Sequence, residues 1–185
     1  MADRPRKERQ AWNEPCHAHF LTYSCVHRWP LLSKDRSRQW VIDALGEARR
    51  RLKLLLWAYV VMPEHVHIVC FPRSADYRME HILAALKRPV SKMAKDYLTA
   101  TGRANWLERL TVTYQHRVVF RFWESGGGYD RNIWRERTVY EAMDYVHGNP
   151  VRRWLVAAPC DWIWSSARFW EGARTVPLHM DPLDF

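Results

Sequence analysis

The sequence predicts an α+β domain, and two kinds of pattern carry that prediction. Short runs rich in β-branched and aromatic residues, 19–26, 54–61 and 65–71, alternate with two stretches, 33–53 and 79–98, whose apolar residues recur at the 3.6-residue helical period. The chain of 185 residues is 48% hydrophobic and 26% charged, enough for one buried core and too short for two. We divide it into a flexible basic arm, 1–16, a folded domain, 17–170, and a C-terminal tail, 171–185.

Taken in order, the arm is polar, basic and interrupted by Pro5 and Pro15. The run His19 to Val26 ends before Pro30, as a first strand should. From Ser33 to Lys53, Trp40, Val41, Ala44, Leu45 and Ala48 form one apolar face with Arg and Glu between them, which is an amphipathic helix. Two apolar runs then flank Met62-Pro63-Glu64, where proline interrupts a ladder and favours a turn, so they predict a hairpin central in the sheet. A second helix over 79–98 carries Ile82, Leu83, Leu86, Val90, Met93 and Tyr97, with Pro89 expected to kink or break it. Residues 112–122 allow a further strand, and Gly126-Gly127-Gly128 a loop. Thr138 and Glu141 have capping-box spacing, which predicts a short helix over 139–148 that ends at Gly148-Asn149-Pro150. The remainder, with Trp154, Trp162, Trp164, Phe169 and Trp170, should pack on the domain.

The composition excludes several classes. The longest apolar run, Leu54 to Met62, is nine residues against the roughly 20 of a spanning helix, and the charged N-terminus lacks a secretory h-region. A cytoplasmic, membrane-free protein is the expectation. Cys16, Cys25, Cys70 and Cys160 form no C-x-x-C pair and should be reduced, two of them in strands. With 29 Lys+Arg against 20 Asp+Glu the net charge is +9, and 11 Trp with 8 Tyr supply flat faces on which unpaired bases stack. Nucleic acid is therefore the first partner to consider, beside the plainer role of basic residues in solubility.

The sharpest local feature is Glu64-His65-Val66-His67-Ile68-Val69 at the start of a strand. Alternate strand residues share a face, so His65 and His67 project together while Val66 and Ile68 point to the core. Such a pair either grips a divalent cation or sits half-exposed on an amphipathic strand. On the last helix Tyr145 and Asn149, four residues apart, share a face; Tyr140 lies roughly 140° around from Tyr145. A tyrosine beside a metal can attack phosphorus, although a helical tyrosine is ordinarily a core residue with its hydroxyl satisfied.

Several segments together resemble a known family. Val60-Val61-Met62-Pro63-Glu64-His65-Val66-His67 looks like the motif of the single-tyrosine HUH endonucleases. Phe122-Trp123, Gly126 to Asp130, Met143 to Val151, Leu155-Val156 and Asp161 to Ser166 resemble, in that order, the REP-associated tyrosine transposases of bacterial insertion sequences, over residues 17–170. The resemblance implies a ferredoxin-like antiparallel sheet with packed helices, the HUH endonuclease fold. It implies that His65 and His67 bind Mg²⁺ or Mn²⁺, with Asn149 a third ligand or metal-positioning group, and that Tyr145 attacks a phosphodiester of single-stranded DNA with hairpin repeats. The family forms a 5′-phosphotyrosine and releases a 3′-hydroxyl. Its REP-linked members are monomers, whereas related insertion-sequence enzymes are dimers that supply the tyrosine in trans, and we expect a monomer. The helix bearing Tyr145 should then pack beside the strand bearing the histidines.

Candidate DNA contacts are Lys87, Arg88, Lys92 and Lys95 on the second helix, Arg117 and Arg121 before the glycines, and Arg152-Arg153 after the last helix, each equally readable as a solvated charge. The glycine loop could approach a phosphate or simply connect two elements. Three rival readings remain. Histidine-triad nucleotide hydrolases also alternate histidines on a strand, but require a third where this chain has Val69. A zinc module could draw on Cys16, His17, His19, Cys25 and His27, at spacings that fit no strong zinc pattern. A non-catalytic hairpin-binding domain of this fold would need no tyrosine hydroxyl.

Overall fold

The computed structural model describes residues 13–114 and 116–183, the side chain of Tyr114 excepted. Its elements in chain order are β1 (Ala18–Ser24), α1 (Asp35–Leu52), β2 (Leu54–Val61), β3 (His65–Pro72), α2 (Met79–Ala100), α3 (Ala104–Arg109), β4 (Thr111–Tyr114), β5 (Arg117–Phe120), β6 (Tyr129–Ile133), α4 (Glu136–His147), α5 (Asn149–Arg152) and α6 (Ala167–Trp170), with a 3₁₀ turn at each of Val26–Arg28 and Pro159–Asp161. Four strands form an antiparallel sheet in the order β2-β3-β1-β6. With α1 linking β1 to β2 and α2 following β3, this is the split β-α-β arrangement of a ferredoxin-like sheet.

The two faces of the sheet bury different sets. Leu21, Tyr23, Leu56, Tyr59, Val61, Val66, Ile68 and Cys70 face α1 and α2, where Val41, Leu45, Ile82, Leu86 and Val90 close the larger core. Trp57, Ala58, Val60 and Val69 face the other way, against Val139, Met143 and Val146 of α4. A register shift between Leu56 and Ala58 places Trp57 and Ala58 both in this second cluster. Val66 and Ile68 are thus core residues, and α4 packs on the face that bears His65 and His67, both as expected from the sequence.

Several expectations need correction. The β2–β3 hairpin is not central: β2 is the edge of the four-stranded sheet. Its free edge is covered by the C-terminal part of the chain, through Val61 N–H to Trp164 O (2.9 Å), Ser166 N–H to Tyr59 O (3.0 Å), Asp181 N–H to Leu56 O (2.9 Å) and Leu56 N–H to Asp181 Oδ2 (2.8 Å). Covering an edge in this way removes a template for pairing with other chains. Of the kink or break expected at Pro89, the break does not occur; the helix runs through from Met79 to Ala100. The strand expected at 112–122 is instead a two-stranded hairpin, β4 with β5, separate from the main sheet and with Val118 and Val119 exposed. The capping box is absent: α4 starts at Glu136 after Arg135, with no side-chain cap, so Thr138 already lies in the first turn. The first strand runs 18–24 and Cys25 follows it, leaving Cys70 as the one strand cysteine of the two expected; all four thiols are free. Most of the basic arm, 1–12, lies outside the described residues, but its end is tied down: Asn13 Oδ1 accepts from Met79 N–H (3.0 Å) and Glu14 O from the Tyr77 hydroxyl (3.0 Å). Among the described residues no helix is long and apolar enough to cross a membrane.

Candidate active site

β3 delivers His65 and His67 to one face because they are two residues apart in a regular strand, and both side chains are buried. β1 lies beside β3 with Thr22 opposite His67, and the Thr22 Oγ1 is 2.7 Å from His67 Nδ1. Glu64 ends the turn before β3 and accepts from His65 Nδ1–H at 3.1 Å. A carboxylate can only accept, so the His65 proton sits on Nδ1 and its Nε2 carries a bare lone pair. That lone pair faces His67 Nε2 at 3.0 Å. Burial holds both imidazoles neutral: it lowers the pKa of His65, and it brings that of His67 down to about 3 with help from His65 and from Arg152 and Arg28. Two facing nitrogens on neutral rings call for a shared proton, a donor from a neighbouring group or a cation.

α4 and α5 bring the remaining groups. Tyr145 is on the last turn of α4, 46% exposed, with its ring edge-on to His67 at 5.5 Å and to Phe20 at 5.7 Å. Phe20 in turn stacks on His67 at 5.6 Å, so the two rings are fixed by one aromatic wall. Asn149 opens α5 with Pro150 behind it and is buried, its Nδ2 donating to His67 Nε2 at 3.0 Å. Its Oδ1 is buried with no hydrogen-bond partner. An orphaned buried carbonyl costs about 1–3 kcal/mol, and turning the amide by 180° would aim this oxygen at the same corner as the two imidazoles. Two imidazole nitrogens and an amide oxygen form a donor set that fits a divalent cation. No group of three His, Cys, Asp or Glu that could hold a metal occurs among the described residues, which also removes the zinc module, since His19 is engaged with Asp130 (2.7 Å) and Tyr77 (2.6 Å).

The site opens into a cleft of about 690 Å³. Arg28, Arg131, Arg152 and Arg153 line it together with Tyr129 and Tyr145. Arg153 and Arg28 reach Glu64 at 3.0 and 3.7 Å, so the carboxylate that orients His65 is itself held by two guanidinium groups. Arg152 lies over the Tyr145 ring at 4.3 Å and donates to the Tyr145 backbone carbonyl. It can do so because Gly148 has no side chain: a Cβ there would stand 2.7 Å from the guanidinium. The cleft thus pairs a half-exposed phenol with positive charge and a cation-ready corner.

Of the residues singled out in the sequence, His65, His67, Tyr145, Asn149, Arg152 and Arg153 converge here. The other six cations do not. Lys87, Arg88, Lys92 and Lys95 are on α2, across the opposite face of the sheet, where Lys87 is bound to the carbonyls of Glu124 and Gly126 and Lys92 to Asp96. Arg117 lies in the separate hairpin and Arg121 just after it. Sequence reasoning missed Arg28, Arg131, Thr22 and Glu64. Only Glu64, adjacent to the first histidine, carried a local signal. The glycine loop is a connection, and Gly128 is there because β1 passes so closely that a Cβ would meet Thr22 O at 2.1 Å.

No family model and no curated protein matches this sequence. Solved structures do match. A "putative transposase" from Deinococcus radiodurans R1 shares 15% identity, with 77% of this chain and 97% of that chain covered and a TM-score of 0.45. The REP-associated tyrosine transposase, solved bound to a REP hairpin, shares 19% identity, with 97% of this chain and 95% of that chain covered and a TM-score of 0.68. Over nearly its whole length, the chain has the fold of the REP-associated tyrosine transposase.

Proposed function

We propose that this protein is a metal-dependent single-stranded DNA endonuclease and strand transferase that recognises hairpin repeats. One observation carries the reading: a half-exposed tyrosine, two neutral imidazoles and a buried amide oxygen without a partner meet in a cleft lined by four arginines. His65, His67 and Asn149 would hold Mg²⁺ or Mn²⁺, three donors that leave most of an octahedral shell to water and phosphate oxygens. When bound, the ion would offset charge on the scissile phosphate.

The chain's own residues supply the rest. Arg28, Arg131 and Arg153 draw the DNA backbone into the cleft and hold it by charge. The Tyr145 oxygen attacks the phosphorus, a P–O bond to the 3′-oxygen breaks, and the 3′-hydroxyl leaves with a proton while the 5′-phosphate stays on the tyrosine. Arg152 packs over the ring and holds it in the cleft. Because the phosphotyrosine conserves the phosphodiester bond energy, a 3′-hydroxyl of another strand can reverse the step and rejoin DNA without ATP. The contact of Tyr145 with His67 within one chain supports a monomer that supplies its tyrosine in cis.

The test uses labelled single-stranded DNA hairpins drawn from the sequence around the gene, mixed with purified protein and Mn²⁺ or EDTA and run on a denaturing gel. We expect a covalent protein–DNA band with Mn²⁺, lost in EDTA and in Tyr145→Phe, and lost in His65→Ala and His67→Ala with hairpin binding largely intact. Tight hairpin binding with no covalent band under any condition refutes the nuclease and leaves a binding protein of the same fold.

A further inference from the structure

Glu64 is a buried carboxylate whose side chain the β2–β3 hairpin does not need. The turn is closed by backbone bonds, Met62 N–H to His65 O (2.9 Å) and Cys25 N–H to Glu64 O (2.8 Å). The side chain is nevertheless only 11% exposed, and burying a carboxylate is costly unless it is paired. One of its oxygens, Oε1, takes all the pairing: it meets His65 Nδ1–H at 3.1 Å, Arg153 at 3.0 Å and Arg28 at 3.7 Å. The first partner is a candidate metal ligand, and the other two line the cleft.

The two halves of this site make opposite demands. A divalent cation at the imidazoles is opposed by the positive charge of Arg28, Arg131, Arg152 and Arg153 around the same cleft. Its three candidate ligands, His65, His67 and Asn149, bring no negative charge of their own. Glu141, the one carboxylate among the described residues lining the cleft, is bonded to Arg137 at 2.9 Å and stands 58% exposed, where water screens it. Glu64 lies behind His65, with one imidazole ring between its oxygen and the Nε2 lone pair. A carboxylate on the far nitrogen of a metal-bound histidine fixes the tautomer and makes the histidine a stronger donor. The same charge also offsets that of the two arginines it holds.

We propose that Glu64 is a positioning residue that couples the cation corner to the phosphate-binding arginines, its one charge divided between His65 on one side and Arg28 and Arg153 on the other. A phosphate that takes the arginines frees that charge for His65 and tightens the hold on the cation. By linkage, a bound cation loosens the arginines toward phosphate by the same factor. The proposal rests on the reading of His65, His67 and Asn149 as a metal site.

The test reads metal affinity alone, from the electron paramagnetic resonance signal of free Mn²⁺, with the full-length Tyr145→Phe chain as parent and no DNA present. Glu64→Gln keeps an oxygen that can accept from His65 Nδ1–H and removes the charge. Arg153→Gln, at a side chain 53% exposed, removes a competitor for that charge and stands in for its capture by a phosphate. Each variant is checked by circular dichroism and melting in EDTA. We expect Glu64→Gln to weaken Mn²⁺ binding by about tenfold or more. Arg153→Gln should tighten it by about threefold with Glu64 present, and by no more than about 1.5-fold once Glu64→Gln is in place. Direct repulsion between Arg153 and the cation acts in both backgrounds, so the difference between the two gains is what Glu64 transmits.

Equal gains in both backgrounds, or a Glu64→Gln chain that binds Mn²⁺ as tightly as its parent, overturn the coupling and leave the metal site standing. A fall in affinity in both single variants marks Glu64 and Arg153 as a plain structural ion pair, and also overturns the proposal. If Glu64→Gln does not fold, Arg153→Gln still decides, since an unchanged Mn²⁺ affinity there is the refuting result. A parent chain that binds no Mn²⁺ overturns the metal reading and the coupling with it.

Discussion

Replacing Gly128 by alanine isolates the contact that lets β6 approach β1, and Gly126→Ala provides the control. Both glycines have positive φ, +74° at 128 and +84° at 126, so alanine at either carries the left-handed penalty of about 1–2 kcal/mol. The surroundings differ. A Cβ at 126 meets nothing within 4 Å, whereas one at 128 stands 2.1 Å from Thr22 O, 3.1 Å from Thr22 C and 3.2 Å from Tyr23 Cα. Ordinary contact begins at 3.4 Å, so the two backbones must part by 3.4 − 2.1 = 1.3 Å, and neither is a flexible side-chain end that could swing away. Overpacking of this kind costs about 1–3 kcal/mol, and the strained ladder around Thr22 and Tyr129 loses about 1 kcal/mol more. Gly128→Ala should therefore destabilise the protein by about 2–4 kcal/mol beyond Gly126→Ala. For a chain of this size that is a difference of about 5–15 °C in melting temperature, read by differential scanning calorimetry. Thr22 also holds His67 Nδ1, so the same substitution should loosen the histidine. Two variants that melt within 2 °C of each other would refute the close approach of β6 to β1.

Two further outcomes follow from the site and its supports. Burial lowers His67 to about 3 and His147, bonded to Ser166 Oγ at 2.8 Å, to about 4, against about 6.5 in the unfolded chain. The unfolded state then takes up protons below pH 6.5 while the folded state does not, so stability is complete above 6.5 and falls as pH drops toward 4; urea midpoints from pH 7.5 to 4.5 should show this, with a shallower fall in His147→Gln, and an identical slope in that variant would show His147 is not held neutral. Mn²⁺ at about a hundred times its dissociation constant should stabilise the folded chain by about 2.7 kcal/mol, a rise of about 5–10 °C over the EDTA melt; Asn149→Ala should lose most of that rise, and an undiminished rise would remove Asn149 from the ligand set.

Legible in the amino-acid order alone is what depends on neighbours along the chain. The periodicity of Val41, Ala44, Leu45 and Ala48, and of Ile82, Leu86 and Val90, marks helical faces because burial of one stripe is repeated every turn. The i, i+2 spacing of His65 and His67 fixes a shared face by strand geometry, whereas Asn149, expected on the helix of Tyr145, opens the separate α5. Pairing across the chain is invisible to that order. Strand β6, Tyr-Asp-Arg-Asn-Ile, is largely polar, with Ile133 its one buried apolar residue, and its partner β1 lies over a hundred residues earlier. The cover of the β2 edge by Ser166 and Asp181 is equally distant in sequence, and so is the meeting of Arg28, Thr22 and Arg131 with the two histidines. Local pattern records which side of an element meets the core; which elements meet one another, and hence which arginines surround Tyr145, is decided by the packing of the whole chain.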